Sequence, residues 1–284
     1  SIRVLHNIAS LHFGGSQAFV MNIYNNVDRK KVQFDFVVIP EEKRDLYEQV
    51  EKLGGRIFTC PRYTGNNHFT YCKWWENFFL EHPEYHVIHG HVRSTASIYL
   101  KIAKNHGLIT IAHSHSTSNG NGFPSVVKNV MQLPIRYIAD YLFACSDKAG
   151  VWLYGKKALT KSNYQMIPNG VYLERFAFDK SKRQEIREQL GIKTNEIVIG
   201  HIGRFTEPKN HKFLVELFKE YHKNNPNSRL LMVGDGELYE EVKKQCDELG
   251  IAESVIMTGS RTDTENFYQT MDVFVFPSLW EGLP

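Results

Sequence analysis

Arg204 and Lys209 lie close together in the stretch Ile197–Asn210, IVIGHIGRFTEPKN, with Glu207 and Pro208 between them. A guanidinium offers a planar fork of donors and an ammonium a compact charge, a combination suited to clamping a diphosphate. Ahead of them Ile197, Val198, Ile199 and Ile202 are β-branched and carry no charge, which predicts a strand buried on both faces of a parallel sheet and ending at Gly203. Behind them Phe213, Leu214, Leu217, Phe218 and Tyr221 recur with helical spacing over residues 212–223. The two cations are thus expected beyond the carboxyl end of a strand, where open α/β sheets bind their ligands. The alternative is an ordinary solvated basic loop.

Other residues could do chemistry nearby. In LHFGGSQ, Gly14 and Gly15 allow a tight turn after a first strand and Ser16 can cap the helix that follows, a place for a phosphate or sugar or simply a turn. His89, His91, His113 and His115 end two successive strands and could gather round zinc. Each pair alternates along extended chain, so the four rings are not expected to converge, and no metal is assigned. D-x-D, a carboxylate pair that holds a diphosphate through a metal, does not occur. GVWLYGKK at 150–157 nearly matches a P-loop, but Lys157 replaces the magnesium-binding hydroxyl and Trp152, Leu153 and Tyr154 are bulky. Gly234 and Gly236 follow a strand like a dinucleotide fingerprint, yet the third glycine and the ribose-binding acid are missing. Gly234, Gly236 and Glu237 are read instead as shaping a base and phosphate pocket by close backbone approach.

These residues need a frame. Strands are expected at residues 3–8, 34–39, 56–59, 87–89, 109–112, 141–144 and 164–167, alternating with helices at 44–53, 71–80, 95–105 and 126–139. After Pro168, Asn169 and Gly170 and a charged helix at 179–190, a second series runs through strands 197–202, 229–233, 255–258 and 273–276, with a helix at 238–249. Strand alternating with helix is the mark of a doubly wound parallel sheet, here twice over. The expected class is α/β with two Rossmann-like domains, 1–169 and 170–284, which agrees with a length of 284 residues.

Composition narrows the function. A net charge of +3 with interspersed acids and bases argues against a nucleic-acid partner. Four scattered cysteines without a C-x-x-C pair suggest reduced thiols and a cytoplasmic location. No apolar run approaches a membrane span, while peripheral contact with a membrane stays open.

GGSQ after the first strand, H-S-H at 113–115, PNGV at 168–171, GR-x4-K at 203–209, GDGE at 234–237, TGSR at 258–261 and PSLWEGLP at 277–284 together resemble the group 1, or family 4, retaining glycosyltransferases of the GT-B fold. The resemblance runs the length of the chain, and bacterial capsule and exopolysaccharide enzymes are the most similar group. It implies two domains facing a cleft, the first on the acceptor side and the second binding the nucleotide sugar. Arg204 and Lys209 then belong to the donor diphosphate, Glu281 reaches the donor sugar, and the amides of Gly282 and Leu283 lie near the phosphates. His113 matches the histidine that faces the sugar, with His115 as its runner-up; a neutral imidazole can accept a hydrogen bond from a sugar hydroxyl. The second glutamate of the family's E-x7-E element lies past Pro284, so the second domain reads as incomplete and the chain as truncated.

The activity implied is transfer of a sugar, with retention and without a metal or other cofactor, from a nucleotide diphosphate donor, by analogy UDP, to a glycan or lipid-linked acceptor. The alternatives are a non-catalytic or regulatory sugar-nucleotide-binding subunit, and a GT-B epimerase or phosphorylase.

Overall fold

The structure, a computed structural model, describes all residues except 13, 41–44, 118–122 and 282–284, and leaves the side chains of 123–125 undescribed. The chain divides into two compact units, Ser1–Gly170 with Glu281, and Val171–Trp280.

The first unit is built on a seven-stranded sheet in which β1 (Ile2–Ala9), β2 (Val32–Val38), β3 (Ile57–Thr59), β4 (Val87–Gly90), β5 (Ile109–Ser114), β6 (Tyr141–Ala144) and β7 (Tyr164–Met166) take the order β3-β2-β1-β4-β5-β6-β7. All its pairings are parallel. Alternation along β2 explains the layers. Phe34, Phe36 and Val38 pack with Phe19, Val20 and Tyr24 of α1 (Gly15–Asn26) and Val50 of α2 (Tyr47–Lys52). Val37, pointing the other way, packs with Trp75 and Phe78 of α3 (His68–Glu81) and Tyr99 and Leu100 of α4 (Ala96–Asn105). Strand order turns back between β1 and β4, a switch point of the kind where doubly wound sheets hold ligands.

Three sequence expectations fail here. The helix expected over 126–139 is two, α5 (Phe123–Gln132) and α6 (Ile135–Ile138), because Pro134 lacks an amide hydrogen and disfavours helical backbone at Leu133. Ser16 does not cap α1. Gly14 is the N-cap, in extended backbone at φ −173 with no side-chain cap, and the Ser16 hydroxyl donates to Gln17 Oε1 (3.0 Å). Neither glycine makes the sharp turn; the left-handed residue is Ala9, at φ 64, beside a bulge in β1. The P-loop look-alike is mostly helix, α7 (Asp147–Tyr154), capped by the Ser146 hydroxyl, which accepts from the Ala149 amide.

The second unit opens with α8 (Leu173–Phe176) and α9 (Lys180–Gln189), the latter capped by Asp179, which accepts from the Ser181 and Lys182 amides. Its sheet is β10-β9-β8-β11, again all parallel, from β8 (Ile197–Ile202), β9 (Ser228–Val233), β10 (Val255–Met257) and β11 (Val273–Phe274). Ile199, Leu230 and Met232 face Leu214 and Phe218 of α10 (His211–Asn224) and Val242 of α11 (Tyr239–Glu248). Val198, Leu231 and Val233 face Ile186 of α9 and Phe267 of α12 (Thr264–Thr270). The four cysteines are unpaired, and no described helix is long and apolar enough to cross a membrane.

Candidate functional site

In the second unit the candidate site lies where β8 leaves its sheet, next to the switch between β8 and β11. The Gly203 amide donates to the Val233 carbonyl (2.9 Å), and the chain then places Arg204 in solvent and Phe205 in the core. Phe205 anchors the loop: its amide donates to the Asp235 carbonyl (3.0 Å), its carbonyl accepts from the Leu238 amide (3.0 Å), and its ring stacks on His211 at 3.9 Å. No ion pair of Arg204 occurs among the described residues. Lys209 ends a short 3-10 turn over Glu207–Lys209, and its stem folds back over the strand end, where a Cβ on Gly203 would lie 3.5 Å from Lys209 Cδ. The Lys209 ammonium sits 5.4 Å from the centroid of Phe276.

Asn210 follows in left-handed backbone at φ 56, which asparagine tolerates better than most residues. Its side-chain amide donates to the Pro277 carbonyl (3.2 Å), and α10 begins without a side-chain cap. An uncapped helix N-terminus presents backbone donors and the positive end of a dipole beside the two cations. The segment after β11 is tied to the same loop, since the Leu279 amide donates to the Pro208 carbonyl (2.8 Å).

The glycines after β9 pack against the same loop. Gly234 adopts φ 143, and a Cβ there would overlap the Gly203 carbonyl oxygen; a Cβ on Gly236 would come within 2.5 Å of the Phe205 carbonyl oxygen. Their bareness lets the β9–α11 loop press on the backbone that carries Arg204. Glu237 follows them and is exposed.

In the first unit His113 and His115, expected as one site residue and its runner-up, meet a larger group. His6, His89, His91, His113 and His115 gather at the carboxyl ends of β1, β4 and β5. The expectation that these rings diverge is wrong, because residues two apart in a strand point to the same face, and parallel register sets His6 opposite His89. His113 and His115 stack at 4.0 Å between centroids. His6 Nδ1 and His91 Nε2 lie 3.1 Å apart, His91 Nδ1 and His115 Nε2 2.8 Å, and His89 Nε2 and His113 Nδ1 3.1 Å. Nε2 of His113 and Nε2 of His6 are buried without a hydrogen-bond partner. Burial keeps the group neutral. It pushes His6 down to about 3 and His115, also repelled by Arg93, to about 4, and holds His89, His91 and His113 well below the usual range.

Sequence reading missed His6, which lies alone in an apolar strand, and the anchoring roles of Phe205 and Asn210. Glu281 falls with the first unit, where its backbone carbonyl accepts from the Thr117 hydroxyl (2.8 Å). Gly14 and Gly15 begin α1, while Gly282 and Leu283 lie outside the described residues.

Residues 13–175 match the model of Glycosyltransferase Family 4, and residues 182–284 that of Glycosyl transferases group 1. The chain is 33% identical over 288 residues to EpsF of Bacillus subtilis, which carries a glycosyltransferase assignment; the match covers 99% of this chain and 74% of that protein. It is 30% identical over 216 residues to the UDP-Gal:alpha-D-GlcNAc-diphosphoundecaprenol alpha-1,3-galactosyltransferase of Escherichia coli, covering 72% of this chain and 55% of the relative. Among solved structures, Anabaena HepE in complex with UDP and glucose superposes with a TM-score of 0.78 at 17% identity, covering 98% of this chain and 74% of the other. WaaG, a glycosyltransferase involved in lipopolysaccharide biosynthesis, gives a TM-score of 0.73 at 17% identity over 98% of this chain and 75% of its own. The fold is therefore GT-B.

Proposed function

Since the chain belongs to the family 4, group 1 glycosyltransferases, we propose that it moves a sugar, with retention, from a UDP-sugar to a glycan or lipid-linked acceptor in capsule or exopolysaccharide synthesis. The observation that carries this reading is the loop after β8, which sets Arg204 and Lys209 beside the uncapped start of α10. Two cations and a row of backbone donors suit the charge that grows on a departing diphosphate. The UDP bound in the HepE structure and the UDP-galactose named for the Escherichia coli relative favour that nucleotide.

In the proposed reaction the bond from the anomeric carbon to the β-phosphate oxygen breaks while the acceptor oxygen bonds to the same face. The acceptor's proton passes to the leaving phosphate. Arg204 and Lys209 supply the positive charge that a metal supplies elsewhere, so no cofactor is required. Gly234, Gly236 and Glu237, on the loop packed against the backbone of Gly203 and Phe205, are proposed to shape the base and phosphate pocket, with the Gly282 and Leu283 amides proposed near the phosphates. His113 offers its second ring nitrogen to a sugar hydroxyl, Glu281 is proposed to bind donor hydroxyls, and Gly14 and Gly15 start an uncapped helix on the acceptor side. A lipid-linked acceptor calls for peripheral membrane contact, for which α5 and the residues after it offer exposed Val126, Val127, Val130, Leu133 and Tyr137 beside Lys128 and Arg136.

The test is turnover of UDP-, GDP- and ADP-sugars with undecaprenyl-diphosphate glycans in excess EDTA, the product anomer being read by NMR. Retained configuration from a UDP-sugar is expected. Inversion, a metal requirement, or preference for another nucleotide contradicts the reading.

A further inference from the structure

The five histidines exceed what a sugar contact needs. His91, His113 and His115 each offer a ring nitrogen, and these three atoms lie within 4.8 Å of one another. Three imidazoles around a tetrahedral ion at about 2.0–2.1 Å would have nitrogens roughly 3.4 Å apart, and the rings of His113 and His115, stacked at 20°, must turn about their side-chain bonds for their in-plane lone pairs to converge.

The surrounding hydrogen bonds suit the same arrangement. A metal-bound histidine usually donates its remote N–H to an outer partner, which fixes the tautomer and turns the other nitrogen's lone pair to the ion. His113 Nδ1 can donate to His89 Nε2, which leaves His113 Nε2, the buried nitrogen without a partner, as a bare lone pair. His91 Nε2 can likewise donate to His6 Nδ1, which turns His91 Nδ1 towards His115 Nε2, 2.8 Å away. His115 Nε2 can donate to that lone pair; as the Nδ1–H tautomer it turns a second lone pair to the same gap, and a cation then takes the place of the hydrogen. His6 and His89 then form an outer shell, and His115, the least buried of the three ligands, gives access.

We infer that His91, His113 and His115 form a binding site for one borderline divalent ion, zinc being the probe, with His6 and His89 as outer partners. Three imidazoles leave one coordination position for water, and the absence of a carboxylate ligand keeps the ion's full charge. Arg93 is the cation that acts on His115, and it opposes binding. This site shares His113 Nε2 with the sugar contact proposed above, so the ion and the sugar hydroxyl compete for that nitrogen, and the transfer itself needs no metal.

The experiment is calorimetric titration of the metal-stripped protein with zinc in the absence of nucleotide, with cobalt absorption as a second readout. One ion per chain at micromolar affinity is expected, with a four-coordinate cobalt spectrum. His115→Ala should weaken binding by about 10-fold or more, His89→Phe by roughly 10- to 100-fold as an outer partner, and Arg93→Met should tighten it. His222→Ala, on α10, should leave it unchanged. Circular dichroism checks that each variant is folded. Absence of saturable binding, or equal affinity in folded His115→Ala and wild type, overturns the inference.

Discussion

Gly234 packs its bare Cα against the carbonyl of Gly203, and a Cβ there would overlap that oxygen. The contact fixes the backbone immediately before Arg204. Gly234 also donates its amide to the Gly259 carbonyl (2.9 Å), so three strand ends are joined at one point.

Gly234→Ala must therefore displace this loop as well as strain a backbone at φ 143. The expected cost is about 2 kcal/mol or more in chemical denaturation, accompanied by weaker UDP binding. Gly191→Ala, where a Cβ would meet nothing within 4 Å, tests the strain alone, since φ is +66 there; it should cost less and leave UDP binding intact.

A buried charge holds the other unit. The Asp35 carboxylate is fully buried and accepts from Arg3 Nη2 (2.5 Å), the Arg56 amide (2.7 Å) and the Tyr85 hydroxyl (2.7 Å). Burial alone would raise its pKa, but the hydrogen bonds from Arg3, Tyr85 and Arg56 outweigh it and hold the carboxyl below its ordinary value. Asp35→Ala should lower unfolding stability by about 3 kcal/mol, because both arginines keep some exposure and can be rehydrated. A loss under 1 kcal/mol would show that the network contributes little.

Acid should weaken the second unit through His211, which is buried against Phe205 and pushed down to about 3, chiefly by burial. A histidine with a depressed folded pKa binds fewer protons folded than unfolded. Its contribution is complete above the unfolded value near 6.5 and is lost as pH falls from there towards 3. Stability at pH 5 should lie about 2 kcal/mol below that at pH 7.5 from this residue. His211→Phe should flatten that part of the pH profile in urea denaturation, and an unaltered profile would refute the assignment.

Much of this was legible in the residues. The apolar run Ile197–Ile202 forms β8 with those bounds, and Gly191 and Gly250 lie just past α9 and α11 in left-handed backbone, as helix-stop glycines do. Local signals suffice where a strand is apolar throughout or a helix has a clear stop. They fail where tertiary packing decides. Nothing near His6 in sequence announces His89, which reaches it through strand pairing, and nothing near Gly234 announces its close packing on Gly203. Pro134 was a readable signal that the apolar periodicity over 126–139 obscured.

The most direct measurement of the central claim is UDP affinity, by calorimetry in EDTA, for wild type, Arg204→Ala and Lys209→Ala. Each variant should bind at least about 10-fold more weakly, as expected for one lost charge-assisted hydrogen bond, while the melting temperature stays near that of wild type. Wild-type affinity retained in both folded variants would contradict the account.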